Sequence, residues 1–309
     1  MSRGHFIGLN HHRVMLSDEV RMTLYRRAIE QSVRPGDVVV DLGTGTGVLA
    51  MWAAAAGARR VFAIEPAPVI GLARRLAQSN PGGDRIEFIQ ADAREVTLPE
   101  PADLLVTECM GNFFVTDELA PVLRAARRLV KPDGIVIPER IRMRIAPVFM
   151  PMNDDLAFWQ PDVHGLDLSA GRSFALQSTY VRHVDPRLLV CPPETLSEFH
   201  LFDSPDTVSG ELRFRLTAPS TVHGFVGWFD AALTPSITLD TGPGVRTHWA
   251  QVLFPIEGLR LPEGAELRLS IALAMSETYS NRWRWSGDAT APDGTPLGEF
   301  AHDTDLRLG

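Results

Sequence analysis

The decapeptide VVVDLGTGTG at residues 38–47 constrains this chain more than any other segment. Three consecutive valines predict a buried strand that ends at Asp41, and the three glycines that follow allow a tight turn that a ligand can approach closely. A helix is predicted directly afterwards, and a second apolar strand, VFAI, ends at Glu65. A strand, a glycine turn, a helix and an acid at the next strand tip are typical of a nucleotide-binding βαβ unit, in which the acid holds the ribose hydroxyls.

The acid that precedes the first glycine distinguishes this turn from the dinucleotide fingerprint. The form DLGTGTG resembles motif I of class I methyltransferases, which bind S-adenosylmethionine. A carboxylate at this position suits the ammonium group of the methionine moiety. On the turn alone, a nicotinamide cofactor and an α/β fold that binds no nucleotide are the alternatives.

Composition sets the class of protein and its partners. The chain has 309 residues, 45% of them hydrophobic, and no apolar run near the length of a membrane span or a signal core, so we expect a cytoplasmic globular protein without membrane contact. Its two cysteines, Cys109 and Cys191, show no metal or disulfide spacing, so no metal is expected. A net charge of −8 disfavours nucleic acid and suits a cationic substrate. Lys131 is the single lysine, a bias typical of a GC-rich bacterial genome.

The hydrophobic pattern changes near residue 140. Before it, predicted helices, one of them over about 18–32, alternate with strands, which is typical of a doubly wound parallel sheet. After it, short alternating runs separated by Pro, Gly and Asp predict antiparallel β structure. We therefore place a boundary at Pro138, with one domain over 1–138 and a second over 139–309. A stretch without a clean period, about 155–195, is interpreted as an insertion that reaches a partner.

A pair of acids is predicted beside the cofactor. The strand ADLLVTE ends in Glu108, and a loop of eight residues separates it from Asp117 and Glu118. Because the carboxyl ends of parallel strands form the binding crevice, Glu108 is expected next to the cofactor. Two carboxylates in one pocket can hold a guanidinium, which stays protonated, through charge-assisted bidentate hydrogen bonds. Orientation and electrostatics would then supply most of the rate.

The segment TECMGNFFVTD resembles the double-E loop of the protein arginine methyltransferases. The segment HRVMLSDEVR at 12–21 resembles the start of that family's N-terminal helix, and Thr247, His248 and Trp249 match its T-H-W loop. The resemblance covers nearly the whole chain. It implies a parallel-sheet methyltransferase domain followed by a β-barrel-like domain, with an inserted dimerisation arm at about 155–195 and a homodimer. It also implies transfer from S-adenosylmethionine to arginine, free or in a polypeptide, which yields S-adenosylhomocysteine and ω-N-methylarginine.

The resemblance implies the cofactor site residue by residue. Arg21 would pair with the carboxylate of S-adenosylmethionine, Glu65 would bind the ribose, and Asp41 would line the methionine end. The remaining implied cofactor residues, which line the turn, the adenine edge and the reacting end, are Gly43, Thr44, Gly45, Gly47, Asp92, Ala93 and Glu108.

The resemblance also implies the catalytic residues. Glu108 and Asp117 would clamp the guanidinium, with Glu118 as the second acid if the loop is shifted by one. His248 would pair with Asp18, close the site and stand ready to receive the proton lost after transfer. The residues that would shape the space around the methyl group and the substrate are Met15, Met110 and Trp249.

Two departures from the family pattern keep the substrate open. The second loop acid is Asp117 where the family has glutamate, and Ser2 and Phe6 stand where it has a tyrosine-rich helix. Free arginine is therefore as strong a candidate as arginine in a polypeptide. The alternatives are a methyltransferase for another acceptor in specialised metabolism and a catalytically degenerate partner protein that binds the cofactor.

Overall fold

The computed structural model describes residues 8–114, 119–151, 153–274 and 282–305. Within these ranges, a parallel sheet flanked by helices is followed by two antiparallel sheets, which confirms the predicted fold class. The change from parallel to antiparallel pairing falls between Ile137 and Arg140.

Five strands form the parallel sheet. They are β1 Val38–Leu42, β2 Arg60–Ile64, β3 Ile86–Ile89, β4 Ala102–Thr107 and β5 Val130–Ile137. Their order is β3-β2-β1-β4-β5, so the order reverses between β1 and β4. Ligands bind such sheets in the crevice outside the carboxyl ends at this reversal. Leu42 at the end of β1 pairs with Thr107 on one side and Ile64 on the other, so the segments after these three strands meet at one edge.

Five helices accompany the sheet: α1 Leu9–Leu16, α2 Glu19–Ser32, α3 Val48–Ala55, α4 Ile70–Gln78 and α5 Leu119–Ala126. The helix predicted over about 18–32 is α2, and α1 precedes it. Asp18 separates the two helices because its carboxylate accepts a hydrogen bond from the backbone N–H of Arg21 at 2.9 Å, an N-cap that begins α2. None of the helices in the described part of the chain has the length and apolar content to cross a membrane.

Ten antiparallel strands follow. They are β6 Arg140–Val148, β7 Tyr180–Arg182, β8 Glu194–His200, β9 Val208–Arg215, β10 Ser220–Thr234, β11 Ile237–Asp240, β12 Gln251–Leu261, β13 Glu266–Ala274, β14 Arg282–Thr290 and β15 Pro296–Asp303. One sheet has the order β7-β12-β10-β6-β8 with β11 added on β10, and the other has the order β15-β14-β13-β9. Short 3₁₀ turns lie at Gly83–Arg85, Arg127–Leu129, Pro186–Leu188 and Leu201–Asp203.

Aromatic side chains fill the space between the two antiparallel sheets. Phe254 on β12 lies 5.6 Å from Trp285 on β14, and Phe225 on β10 lies 6.0 Å from Phe214 on β9, between ring centroids. The indole N–H of Trp285 donates to the carbonyl of Pro255 at 2.9 Å. The buried faces of the two sheets thus share one core.

The connection between β6 and β8 leaves the sheets and carries α6 Asp154–Ala157 and α7 Gly171–Ala175. An ion pair between Arg172 and Glu257, at 2.9 Å, ties this segment to β12. Phe158, Leu166 and Phe174 remain 51%, 63% and 43% exposed. The segment therefore leaves several large apolar side chains partly exposed to solvent.

The loop after β4 is held by aromatic contacts with the antiparallel domain. The ring of Phe113 stacks on Trp283 at 5.4 Å and is tilted against Phe254 at 6.0 Å. Gly227 on β10 leaves room for this ring, because a Cβ atom there would lie 2.6 Å from the Phe113 ring. The position of the loop therefore depends on both domains.

Replacement of Gly227 by alanine tests this packing. The added methyl meets a ring that is itself confined by two others, so we expect Gly227→Ala to lower the free energy of unfolding by about 1–3 kcal/mol. Gly71 in α4 is the matched control, because a Cβ there meets no atom within 4 Å. Gly71→Ala should leave stability unchanged or raise it by about 0.5–1 kcal/mol. Urea unfolding measures both, and equal effects would contradict the close contact.

Candidate active site

The glycine turn between β1 and α3 is built by backbone conformation. Gly43, Gly45 and Gly47 have φ of +72°, +53° and +82°, values that favour glycine. The backbone N–H groups of Gly43 and Thr44 both donate to the carbonyl of Ile64, at 2.9 and 3.0 Å. The turn is thereby fastened to the end of β2.

Asp41 stabilises this turn through side-chain hydrogen bonds. Its carboxylate is fully buried and accepts hydrogen bonds from the Thr44 hydroxyl at 2.5 Å and from the backbone N–H of Ala50 at 2.9 Å. Among the described residues its second oxygen, Oδ1, has no partner. Burial raises the pKa of Asp41 to about 7. The structure thus places Asp41 between the turn and α3, and its predicted contact with a ligand stays a prediction.

Glu65 lies directly after β2, at the edge where the turn opens. One carboxylate oxygen accepts from the backbone N–H of Gly45 at 3.1 Å and the other from Ala67 at 2.9 Å. The backbone therefore fixes the orientation of the acid predicted to bind a ribose.

The predicted adenine-edge residues follow β3. The Asp92 carboxylate accepts hydrogen bonds from the guanidinium of Arg94 at 2.6 and 3.0 Å. Ala93 is buried, and its carbonyl accepts from Arg128 at 3.0 Å. Asp92 and Ala93 thus lie at the same end of the sheet as Glu65, each already engaged by an arginine.

An ion pair occupies the reversal point of the sheet. Nε of Arg21, on α2, lies 2.7 Å from Oε1 of Glu108, and the two side chains are only 9% and 11% exposed. Nη1 of Arg21 donates to the carbonyl of Met15 at 3.0 Å. Burial opposes the charge of Arg21, but the carboxylate of Glu108 outweighs it and keeps the pKa of Arg21 above its usual value. The described residues offer no hydrogen-bond partner to Nη2 of Arg21 or to Oε2 of Glu108, so both atoms can meet ligands.

His248 brings the antiparallel domain to this pair. Its Nδ1 lies 2.9 Å from Oδ2 of Asp18, and its backbone N–H donates to the same oxygen at 2.6 Å. Its Nε2 faces Oε1 of Glu108 at 3.6 Å. Burial acts to raise the pKa of Asp18, but the hydrogen bonds from His248 and Arg21 outweigh it and lower that pKa. Asp18 is therefore an anion that orients the imidazole toward Glu108.

Trp249 supports the loop after β4 from within. Its side chain is buried, and its indole N–H donates to the carbonyl of Met110 at 2.9 Å. The backbone N–H of Ala250 donates to the side chain of Asn112 at 3.2 Å. The structure thus places Trp249 behind the loop, where the indole positions Met110, rather than on a surface that a substrate would contact.

The comparisons with known proteins agree with this geometry. Residues 39–134 match a methyltransferase domain model, and residues 140–286 match the model of the arginine methyltransferase oligomerization subdomain. A probable histone-arginine methyltransferase CARM1 of Oryza sativa subsp. indica is 36% identical over 305 residues, which are 89% of this chain and 57% of that protein. The chain belongs to the protein arginine methyltransferase family.

Further relatives match over most of their length. Protein arginine N-methyltransferase PRMT10 of Oryza sativa subsp. japonica is 29% identical over 310 residues, which are 87% of this chain and 82% of the relative. The solved Trypanosoma brucei PRMT1 enzyme-prozyme heterotetrameric complex with AdoHcy is 26% identical with a TM-score of 0.86, covering 96% of this chain and 98% of that one. By contrast, the chain spans only 57% of the length of the CARM1-type relatives from Oryza sativa.

Two of the predicted clamp residues, Asp117 and Glu118, lie outside the described residues. The structure therefore brings together one acid of the clamp, Glu108, with Arg21, Asp18 and His248. Which acid completes the clamp stays a prediction.

Three residues of this chain that pack around the site were not assigned from the sequence. His12 is buried against the turn, since a Cβ on Gly45 would lie 3.3 Å from its ring. Tyr25 is buried and donates its hydroxyl to the carbonyl of Thr107 at 3.0 Å, one residue before Glu108. The thiol of Cys109 packs against Gly43, and burial raises its pKa to about 12. His12 is the first residue of the segment 12–21 that resembles the family, which was the available signal. The other two contacts depend on tertiary packing.

Trp249→Phe tests whether the indole holds the acid loop. The ring is kept but the buried carbonyl of Met110 loses its donor, so we expect a loss of about 1–3 kcal/mol in the free energy of unfolding. Backbone amides of residues 109–114 should exchange hydrogen faster. Trp285→Phe is the matched control, because it removes a buried indole donor whose acceptor, the carbonyl of Pro255, lies outside this loop. It should cost similar stability without changing exchange at 109–114, and equal exchange in both variants would refute the support role.

Proposed function

We propose that this protein transfers a methyl group from S-adenosylmethionine to the guanidinium of arginine, which yields S-adenosylhomocysteine and ω-N-methylarginine. The proposal rests on the contacts that the two carboxylate oxygens of Glu108 make. Its Oε1 is held 2.7 Å from Arg21 and 3.6 Å from Nε2 of His248, while Oε2 accepts no hydrogen bond from any described residue. A carboxylate fixed on one side and open on the other is suited to a guanidinium.

The residues at the crevice fit the proposed cofactor. The glycine turn lets the backbone come close, Glu65 is oriented for ribose hydroxyls, and Nη2 of Arg21 is available to a carboxylate. When bound, S-adenosylmethionine supplies an electrophilic methyl group on a sulfonium. Nη2 of Arg21 carries two N–H groups and can donate both to the cofactor, since Glu108, Met15 and the sulfur of Met22 take the other donors.

The residues of the site would promote the reaction through orientation and charge. Glu108 holds the substrate cation, together with the second loop acid, and turns one terminal nitrogen toward the methyl group. That nitrogen loses a proton once the new N–C bond has formed. His248 can take up this proton by way of Glu108, because Asp18 holds Nδ1 of the imidazole and leaves Nε2 facing the carboxylate.

We infer that the protein acts as a homodimer. The segment 155–195 would form the arm, and exposed Phe158, Leu166 and Phe174 would supply its apolar contacts. The match of residues 140–286 to an oligomerization subdomain supports this assignment. A cytoplasmic location and a bacterial source remain expectations from composition.

Glu108→Gln tests the clamp. Glutamine still accepts from Nε of Arg21, so the affinity for S-adenosylhomocysteine measured by calorimetry should stay within about threefold of the original. The amide cannot neutralise the guanidinium, so turnover should fall by about a thousandfold. Glu87→Gln, on an exposed side chain of β3, is the control and should leave turnover intact. A Glu108→Gln variant with normal turnover would remove Glu108 from the reaction and favour an acceptor other than a guanidine.

A further inference from the structure

A cleft of about 1080 Å³ adjoins the clamp. It lies between the first two helices and the loops around residues 183–186 and 244–248. Asp18 and His248 form part of its wall, and the imidazole of His248 reaches to 3.6 Å from Glu108. His248 thus links the cleft to Glu108, and the cleft is a space that the part of a substrate beyond its guanidinium can enter.

Two acids on the cleft wall already have partners within the protein. Asp18 accepts hydrogen bonds from the backbone of Arg21 and of His248, and Asp185 is paired with Arg187. Glu19, the first residue of α2, is the acid of this wall that has no ion-pair partner among the described residues.

Two arginines on the same wall keep open donors. Nε of Arg13 donates to Asn10 at 3.2 Å, which leaves its terminal nitrogens available. Arg246 makes no ion pair or hydrogen bond with any described residue. A protein with a net charge of −8 thus lines the approach to its cation clamp with two open arginines.

This charge pattern matches a zwitterion. An arginine whose guanidinium lies on Glu108 extends three methylene groups from the clamp, which is long enough for its α-carbon to reach the cleft beside His248. A free arginine carries there a carboxylate, which Arg13 and Arg246 can bind, and an ammonium group, which Glu19 can attract. An arginine within a polypeptide has neither charge at this position. Basic neighbours in such a chain would be repelled by the two arginines.

We infer that Arg13 and Arg246 recognise the α-carboxylate of the substrate, so that the acceptor is free arginine rather than arginine in a basic polypeptide. The inference rests on the proposed function, because it takes the guanidinium position from the clamp. It concerns substrate recognition only, since neither arginine touches the reacting atoms.

The decisive comparison is between L-arginine and L-argininamide, which differ only in the carboxylate. We expect kcat/KM to be about tenfold to a hundredfold higher for L-arginine, as for the loss of a charge-assisted hydrogen bond. In the double variant Arg13→Gln/Arg246→Gln the preference should fall to within about threefold, through a higher KM for L-arginine at unchanged kcat. Arg260→Gln, an exposed arginine outside this cleft, is the control and should retain the full preference.

The same assays separate the possible failures. Equal kcat/KM for the two compounds, or an undiminished preference in the double variant, would overturn the carboxylate site while leaving guanidine methylation in place. Faster methylation of an arginine-rich basic peptide than of L-arginine would also overturn it. Methylation of none of these guanidines, with S-adenosylhomocysteine binding intact, would contradict the proposed function and the inference with it.

Discussion

The ion pair between Arg21 and Glu108 is the contact on which the site depends. It joins α2 to the end of β4 at the point where the strand order of the sheet reverses. Both side chains are nearly buried, and removing one partner of such a pair leaves a charge without compensation. The pair therefore fixes the carboxylate in place beside the space where a cation would bind.

Asp18 extends this pair into the second domain. Its carboxylate accepts from the backbone of Arg21, which begins α2, and from both the backbone and the ring of His248, which lies 230 residues later in the chain. The cap of a helix and a loop of the antiparallel domain are thus bound to one anion. Trp249 and Phe113 add the contacts that hold the acid loop between the domains. The site is consequently a property of both halves of the chain.

The local parts of this arrangement were predictable from sequence. The glycine turn, Glu65 and Glu108 follow apolar strands, and strand tips in a parallel sheet meet at one edge, so periodicity and spacing suffice. Helix α1 was not predicted as a separate element, since its residues show only weak segregation of apolar side chains. The short strands β7 and β11 have three and four residues, too few for a period to appear.

The orientation of side chains was less accessible to sequence reasoning. Trp249 was assigned to the substrate. Its indole faces inward, because the carbonyl of Met110, in the loop after β4 of the other domain, accepts its hydrogen bond. For Asp41 the structure adds hydrogen bonds with Thr44 and Ala50 that the sequence did not indicate, while its predicted ligand contact stays a prediction. Such assignments depend on which face of a loop is covered, and that is decided by contacts distant in sequence.

A double-mutant cycle on Asp18 and His248 tests the central claim that the two domains build one catalytic unit. The rate of guanidine methylation would be measured for Asp18→Asn, His248→Asn and the double variant. If the pair acts as one unit, each single variant should be at least about 30-fold slower than the original, and the double variant no more than about threefold slower than the slower single variant, a coupling of about 1.4 kcal/mol or more. Effects that simply multiply would show that the two residues act independently and would contradict the account.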